Sequence, residues 1–184
     1  MKIPVAGFDP SFTNWGIAEG MLDLETGILS EVNLTLIETE KGSNKQVRTN
    51  SDDLARTELL AVAAIAAARR CKAIFVEMPV GSQSANGMKA YGVVVGVMGA
   101  IRALGIPVIE VTATEVKKQL TGNKNATKQE MIDQAVLTYP TANFPNQRGR
   151  VTAKAEHVAD ALGAIHAGVN TPIFQQIMRI YAEV

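Results

Sequence analysis

"GFDPSFTNWGIAEG", residues 7–20, places an aspartate at the end of one apolar run and opens a second run at Gly16. The preceding residues, "IPVAGF", read as a buried strand. Asp9-Pro10-Ser11 is turn chemistry, and a turn after a strand needs no further purpose. Two apolar runs around such a turn predict a hairpin with strands at 2–9 and 15–24. A third run, 28–37, follows Gly27, which supplies the next hairpin turn.

The rest of the chain alternates helices with short buried strands. Residues 38–52, "ETEKGSNKQVRTNSD", are polar and predict a long loop. Residues 53–70 predict an alanine-rich helix with Leu59, Val62 and Ala66 on one side. "KAIFVEM", 72–78, is a short apolar strand that carries Glu77 near its end, and Pro79 stops it. Residues 84–104 predict a helix that ends at Gly105. It holds Gly87, Gly92, Gly96 and Gly99, each of which costs roughly 1 kcal/mol against alanine. Close helix packing accounts for so many glycines.

"PVIEV", 107–111, predicts another strand, and Thr114 opens a short helix to Leu120. Thr127 and Glu130 form a capping-box pattern before a helix that runs to about Tyr139. Residues 140–150 are a second polar loop. The last long helix is predicted from Thr152 to Val169, with Val151, Ala155, Val158, Leu162 and Ile165 as its core stripe. Thr171-Pro172 breaks it before a short amphipathic tail. The order predicts an α/β fold: a mixed five-stranded sheet, an antiparallel meander of three strands plus two parallel strands, with helices on both faces.

A length of 184 residues predicts one domain, 1–184, and 47% apolar residues suffice for a sizeable core. Cys71, the single cysteine, excludes an intramolecular disulfide, and no Cys2His2 spacing is present. There is no secretion-signal pattern and no apolar run of about 18 residues, so a soluble protein of a reducing compartment, the cytoplasm, is expected. Net charge is zero but unevenly spread. Residues 1–60 carry 5 basic and 10 acidic side chains, residues 61–154 carry 12 and 5, and the last 30 carry 1 and 3. The basic middle suits a polyanionic partner, and ordinary solvated surface accounts for it as well.

Asp9 ends the first strand and Glu77 the fourth. If these strands are neighbours, the two carboxylates lie side by side at strand ends, where open α/β sheets gather their sites. In "AEHVADALGAIHAG" the residues His157 and Asp160 stand three apart on one helix face, flanking the core stripe. A histidine at a helix flank and a solvated aspartate are ordinary features. An aspartate within "VADALGAI", however, needs compensation. Three carboxylates and an imidazole around a divalent cation would satisfy all four groups. Phosphodiester hydrolysis has a use for such a cluster: two Mg²⁺ ions about 4 Å apart supply a nucleophile at neutral pH and charge relief on the leaving oxygen.

Four motifs in order, "GFDPSFTNWGIA", "AIFVEMPV", "VTATEVKKQLTGNKNATKQEMI" and "HVADALGAI", resemble the RuvC family of Holliday junction resolvases, in the RNase H-like superfamily. The resemblance spans roughly residues 3–168 and suggests a divergent phage or bacterial member. It implies an RNase H-like fold, a homodimer, and cutting of four-way DNA junctions with Mg²⁺ or Mn²⁺, two ions per site. By resemblance Asp9, Glu77, His157 and Asp160 are the catalytic metal ligands, with Asp9 bridging. Lys117, Lys124 and Lys128 resemble residues that contact the DNA backbone. Many members carry an aromatic three residues past the glutamate, which stacks on bases at the junction centre; this chain has Val80 there. The 38–52 loop looks longer than usual.

Sugar kinases and actin-like ATPases share the aspartate-turn-glycine opening, but they need two such domains around ATP, and no second phosphate loop is present. A non-catalytic nucleic-acid module and another RNase H-like nuclease are the remaining alternatives.

Overall fold

The computed structural model describes residues 1–182. Strands β1 (Lys2–Pro10), β2 (Asn14–Asp23) and β3 (Leu29–Glu38) form the antiparallel meander, and β4 (Ala73–Glu77) and β5 (Val108–Val111) complete a sheet of order β3-β2-β1-β4-β5. β1 pairs antiparallel with β2 and parallel with β4, and β4 pairs parallel with β5. The predicted mixed five-stranded sheet is therefore observed. Gly27 takes φ 70°, the left-handed conformation its hairpin turn requires.

Alternation along the strands separates two cores. Ala6, Phe8, Ile17, Ile74 and Val76 face helices α1 (Thr49–Arg70) and α2 (Ala85–Ala103). Val5, Ala18, Phe75 and Ile109 face the other side. There they meet α3 (Ala113–Thr121), α4 (Lys128–Thr138) and α5 (Ala155–Gly168) through Val116, Met131, Val158 and Leu162. Asp9 is in phase with Val5, and Glu77 with Phe75, so both carboxylates belong to the α5 face. Helix α6 (Pro172–Ala182) follows, with Phe174 stacked edge-on against Phe75. Among the described residues, no helix is long and apolar enough to cross a membrane.

Several expectations are corrected. α1 begins at Thr49, so the polar loop after β3 is shorter than 38–52. Its buried face is Leu60, Ala64, Ala67 and Ala68, whereas Leu59 and Val62 are 59% and 65% exposed, and Ala66 is exposed. The buried face thus turns on Leu60 and three alanines, and Leu59 and Val62 fall outside it. A Cβ at Gly92, Gly96 or Gly99 of α2 would touch nothing, so within the chain these glycines serve no close packing.

The α3 cap is Thr112, not Thr114, in a full capping box with Glu115. The Thr127–Glu130 box is present as predicted. The 140–150 loop contains a small ribbon, β6 (Asn146–Gln147) with β7 (Arg150–Val151), joined by Arg148 and Gly149 at positive φ. Val151 belongs to that ribbon and is exposed; α5 starts at Ala155.

Candidate active site

Register brings the first two candidates together. Phe8 of β1 pairs with Val76 of β4, so the next residues, Asp9 and Glu77, leave neighbouring parallel strands at the same end. Pro10 still pairs with Trp15, and the turn is braced beyond it. Ser11 Oγ donates to Asn14 O at 2.6 Å and accepts from Asn14 N at 2.9 Å.

The other two candidates arrive by close approach of α5 to the sheet. A Cβ at Gly7 would strike the Ala161 carbonyl, and one at Gly16 would strike the His157 carbonyl. Glycine at these two positions lets the α5 backbone lie directly on β1 and β2. His157 and Asp160 are thereby placed over the strand end that carries Asp9. His157 Nδ1 is 2.8 Å from Asp9 Oδ2, and its Nε2 is 3.5 Å from Glu156 Oε1.

Electrostatics confirms the crowding. Burial pushes the Glu77 carboxyl up to about 8, with Asp9 and Asp160 adding to the rise. Burial likewise pushes Asp160 up to about 7, with Asp9 and Glu156 next in effect. The His157 imidazole is raised, first by its hydrogen bond to Asp9. Half-buried carboxylates that hold protons so tightly mark a site short of positive charge. Lys117 opposes both rises, which places its ammonium within electrostatic reach of Glu77 and Asp160.

Among the described residues, no three or more His, Cys, Asp or Glu side chains are arranged closely enough to hold a metal ion. Here Asp9 is engaged with His157. The donor set nevertheless fits a hard divalent ion: clustered carboxylate oxygens, whose mutual repulsion a cation would relieve, and one imidazole acceptable to Mn²⁺.

The three candidate lysines divide. Lys117 on α3 is half-buried beside the carboxylates. Lys128, at the start of α4, reaches Glu156 at 2.8 and 3.1 Å, and its pKa is raised, first by that hydrogen bond to Glu156 and further by the nearby Asp160 and Asp9 carboxylates. Lys124 is exposed in the α3–α4 loop, with no such link to the site.

Glu156 was missed from the sequence. It precedes His157 in the first turn of α5, where an acidic residue is ordinary helix-dipole chemistry. Only the fold shows it between His157 and Lys128. A cleft of about 630 Å³ borders the cluster. Glu156 and His157 form one wall, and Thr13, Asn14, Thr39 and Arg56 lie along it. Val80 is 89% exposed beyond β4.

A five-stranded mixed sheet in this order, with strand-end carboxylates covered by a helix carrying His and Asp, is the RNase H-like fold. Its solved neighbours are more particular. The chain matches Thermus thermophilus RuvC in complex with a Holliday junction substrate at TM-score 0.61 and 20% identity, covering 92% of this chain and 97% of that one. It matches another Thermus thermophilus RuvC structure at TM-score 0.60 and 21% identity, covering 89% and 92%. The fold is that of RuvC. No family model matches the chain, and no curated protein matches it in sequence.

Proposed function

We propose that this chain is a single-domain, metal-dependent endonuclease that resolves four-way DNA junctions and acts on other branched DNA. The observation that carries the proposal is the convergence of Asp9, Glu77, His157 and Asp160 at one end of β1 and β4. One of the similar structures is itself a complex with a Holliday junction substrate.

Asp9, Glu77, His157 and Asp160 are the residues that would hold Mg²⁺ or Mn²⁺, two ions per site. When bound, such ions supply a water nucleophile at neutral pH and neutralise charge on the leaving oxygen. The chain's own residues do the rest. Asp9 orients the His157 ring through its carboxylate. His157 is steered by Asp9 on one ring nitrogen and faces Glu156 on the other. Lys117 and Lys128 present ammonium groups beside the carboxylates, where a scissile phosphate would lie. Lys124 extends that basic edge along the backbone of the DNA arm. Val80, solvent-exposed and aliphatic, cannot stack on a base as an aromatic does, so this chain opens a junction and selects a cutting sequence without that contact.

We infer a homodimer for the same reason that a four-way junction asks for one: two strands must be cut symmetrically. Helix α2 leaves Met88, Gly92, Val95, Gly96 and Gly99 facing outward, an apolar and small-residue stripe suited to a second copy.

The test is incubation with labelled four-way junction, linear duplex and RNA–DNA hybrid in Mg²⁺, Mn²⁺ or EDTA. Paired nicks in the junction with either cation, and none in EDTA, are expected. Cutting of the hybrid alone would point to an RNA-directed nuclease, and cation-independent cutting would overturn the proposal.

A further inference from the structure

Arg56 is 8% exposed, on the α1 face that meets the sheet. Burying a guanidinium is costly unless it is paired, and an aliphatic side chain would fill the space at less expense. Its nearest carboxylate does not serve as a close partner. Asp53 Oδ1 is 4.0 Å from Arg56 Nη1, while both Asp53 oxygens are 2.9 Å from Lys89 Nζ on α2.

The guanidinium instead engages Phe12, after Asp9, and Thr39, after β3. Its Nε donates to Thr39 Oγ1 at 3.2 Å, its Nη2 approaches Phe12 O at 3.4 Å, and its plane lies 3.9 Å over the Phe12 ring. Thr39 Oγ1 in turn donates to Phe12 O at 2.6 Å, and Thr39 N to Thr13 O at 2.8 Å. Lys89 also sits over the Phe12 ring, 5.4 Å from its centroid. The buried cation thus holds Phe12, three residues from Asp9 in the turn between β1 and β2, both directly and through Thr39 just after β3, which itself bonds Phe12 and Thr13.

We propose that Arg56 is a positioning residue: through Thr39 and Phe12 it clamps the Ser11–Asn14 turn and so holds the Asp9 carboxylate in register with Glu77 and His157. The proposal rests on the reading of Asp9 as a cation ligand. Arg56 touches neither cation nor reacting phosphate. A loosened turn would misplace Asp9, and misplacement of a reacting group by about 1 Å costs on the order of 10²-fold in rate. The Asp53–Lys89 pair ties the same clamp to α2. Lysine at position 56 keeps the charge but loses the planar fork that spans Thr39 and Phe12.

The test compares the full chain with Arg56→Met, Arg56→Lys and Thr39→Val. The readouts are junction cleavage, Mn²⁺ affinity without DNA, junction binding in EDTA across salt concentrations, and emission of Trp15, the single tryptophan, buried beyond the turn. For Arg56→Met the expected result is kcat lower by about 10²-fold at unchanged KM. Mn²⁺ affinity weakens and Trp15 emission is altered. Junction affinity and its salt slope in EDTA stay the same. Arg56→Lys and Thr39→Val are expected between wild type and Arg56→Met.

A folded Arg56→Met with wild-type kcat and Mn²⁺ affinity overturns the proposal. So does a salt slope reduced by about one unit, which would make Arg56 a phosphate contact. If Arg56→Met does not fold, wild-type Mn²⁺ affinity in both Arg56→Lys and Thr39→Val overturns it. A wild-type chain that binds Mn²⁺ but cuts no junction sinks the nuclease reading alone, and Mn²⁺ affinity with Trp15 emission then decides the clamp. A chain that binds no Mn²⁺ overturns both.

Discussion

Gly16 of β2 faces the His157 carbonyl of α5 with no room for a side chain between them. Main-chain atoms meet there, so no rotamer change relieves an added methyl. Gly16→Ala should therefore lift the start of α5 from the sheet, and Gly7→Ala its middle at Ala161, each at a cost of about 1–3 kcal/mol or more. Urea unfolding measures this cost, and cleavage should fall beyond what the stability loss explains. A Gly16→Ala chain as stable and active as wild type would contradict the close approach.

Asp9→Asn keeps the shape of the side chain and removes its charge. Cleavage is expected to drop by several orders of magnitude while junction binding survives, since phosphate contacts supply most of the affinity. In EDTA, binding should hold or tighten, because one anion near the DNA is gone. Glu77→Gln and Asp160→Asn should behave alike. His157→Ala should be milder and partly restored by Mn²⁺, which accepts nitrogen or oxygen donors more freely than Mg²⁺. Near wild-type cutting by folded Asp9→Asn is the outcome that removes the proposed role.

Stability should depend on pH in a defined direction. Glu77 at about 8 and Asp160 at about 7 both lie above their ordinary carboxylate values, and His157 is also raised. Between about pH 4 and 8 the folded chain thus binds more protons than the unfolded chain, so stability falls as pH rises. In EDTA, Tm should decline from pH 5 to pH 8, by about 2–4 °C for each kcal/mol lost. Mg²⁺ should raise Tm more at pH 8 than at pH 5, because protons and cations compete for the same oxygens. Asp160→Asn should flatten the decline. A Tm that climbs from pH 5 to pH 8 in EDTA would refute the shifts.

Neutralising Lys117, Lys124 and Lys128 together should weaken junction binding and lower the salt slope by about one unit per lost phosphate contact. Lys128 is held by Glu156, so Glu156→Gln should free its ammonium and strengthen binding at low salt. An unchanged slope in the triple variant would leave these lysines as ordinary surface.

Helix α2 offers a test of the two-fold interface. Gly96 has open space above it, so Gly96→Ala should stabilise an isolated chain by up to about 1 kcal/mol through helix propensity. If α2 packs on a second copy, the same change should weaken self-association. Sedimentation across micromolar concentrations, with and without junction, reads the second effect. A monomer under all conditions counts against the dimer.

The amino-acid sequence alone determined the elements and named most of the candidate site residues. Apolar runs of 4–10 residues, Gly27, and the Thr127–Glu130 box are local signals, and the structure repeats them within a few residues. His157 and Asp160 share a helix face by spacing alone, and Asp9 and Glu77 announce themselves as acids closing apolar strands. Their meeting was conditional on β1 lying beside β4, a pairing about 70 residues apart that no local pattern specifies.

Tertiary structure decided the rest. Leu59 and Val62 look like a core stripe, yet Leu60 and three alanines make the contact, because the face α1 turns to the sheet is offset from the one its larger apolar residues suggest. The glycines of α2 look like packing residues, whereas those that admit a neighbouring backbone are Gly7 and Gly16. Glu156 and Arg56 carry no distinguishing signal in the sequence. Only the fold sets one between His157 and Lys128 and buries the other against Phe12, since a side chain's partners across the chain depend on which surfaces exclude water, not on its neighbours in sequence.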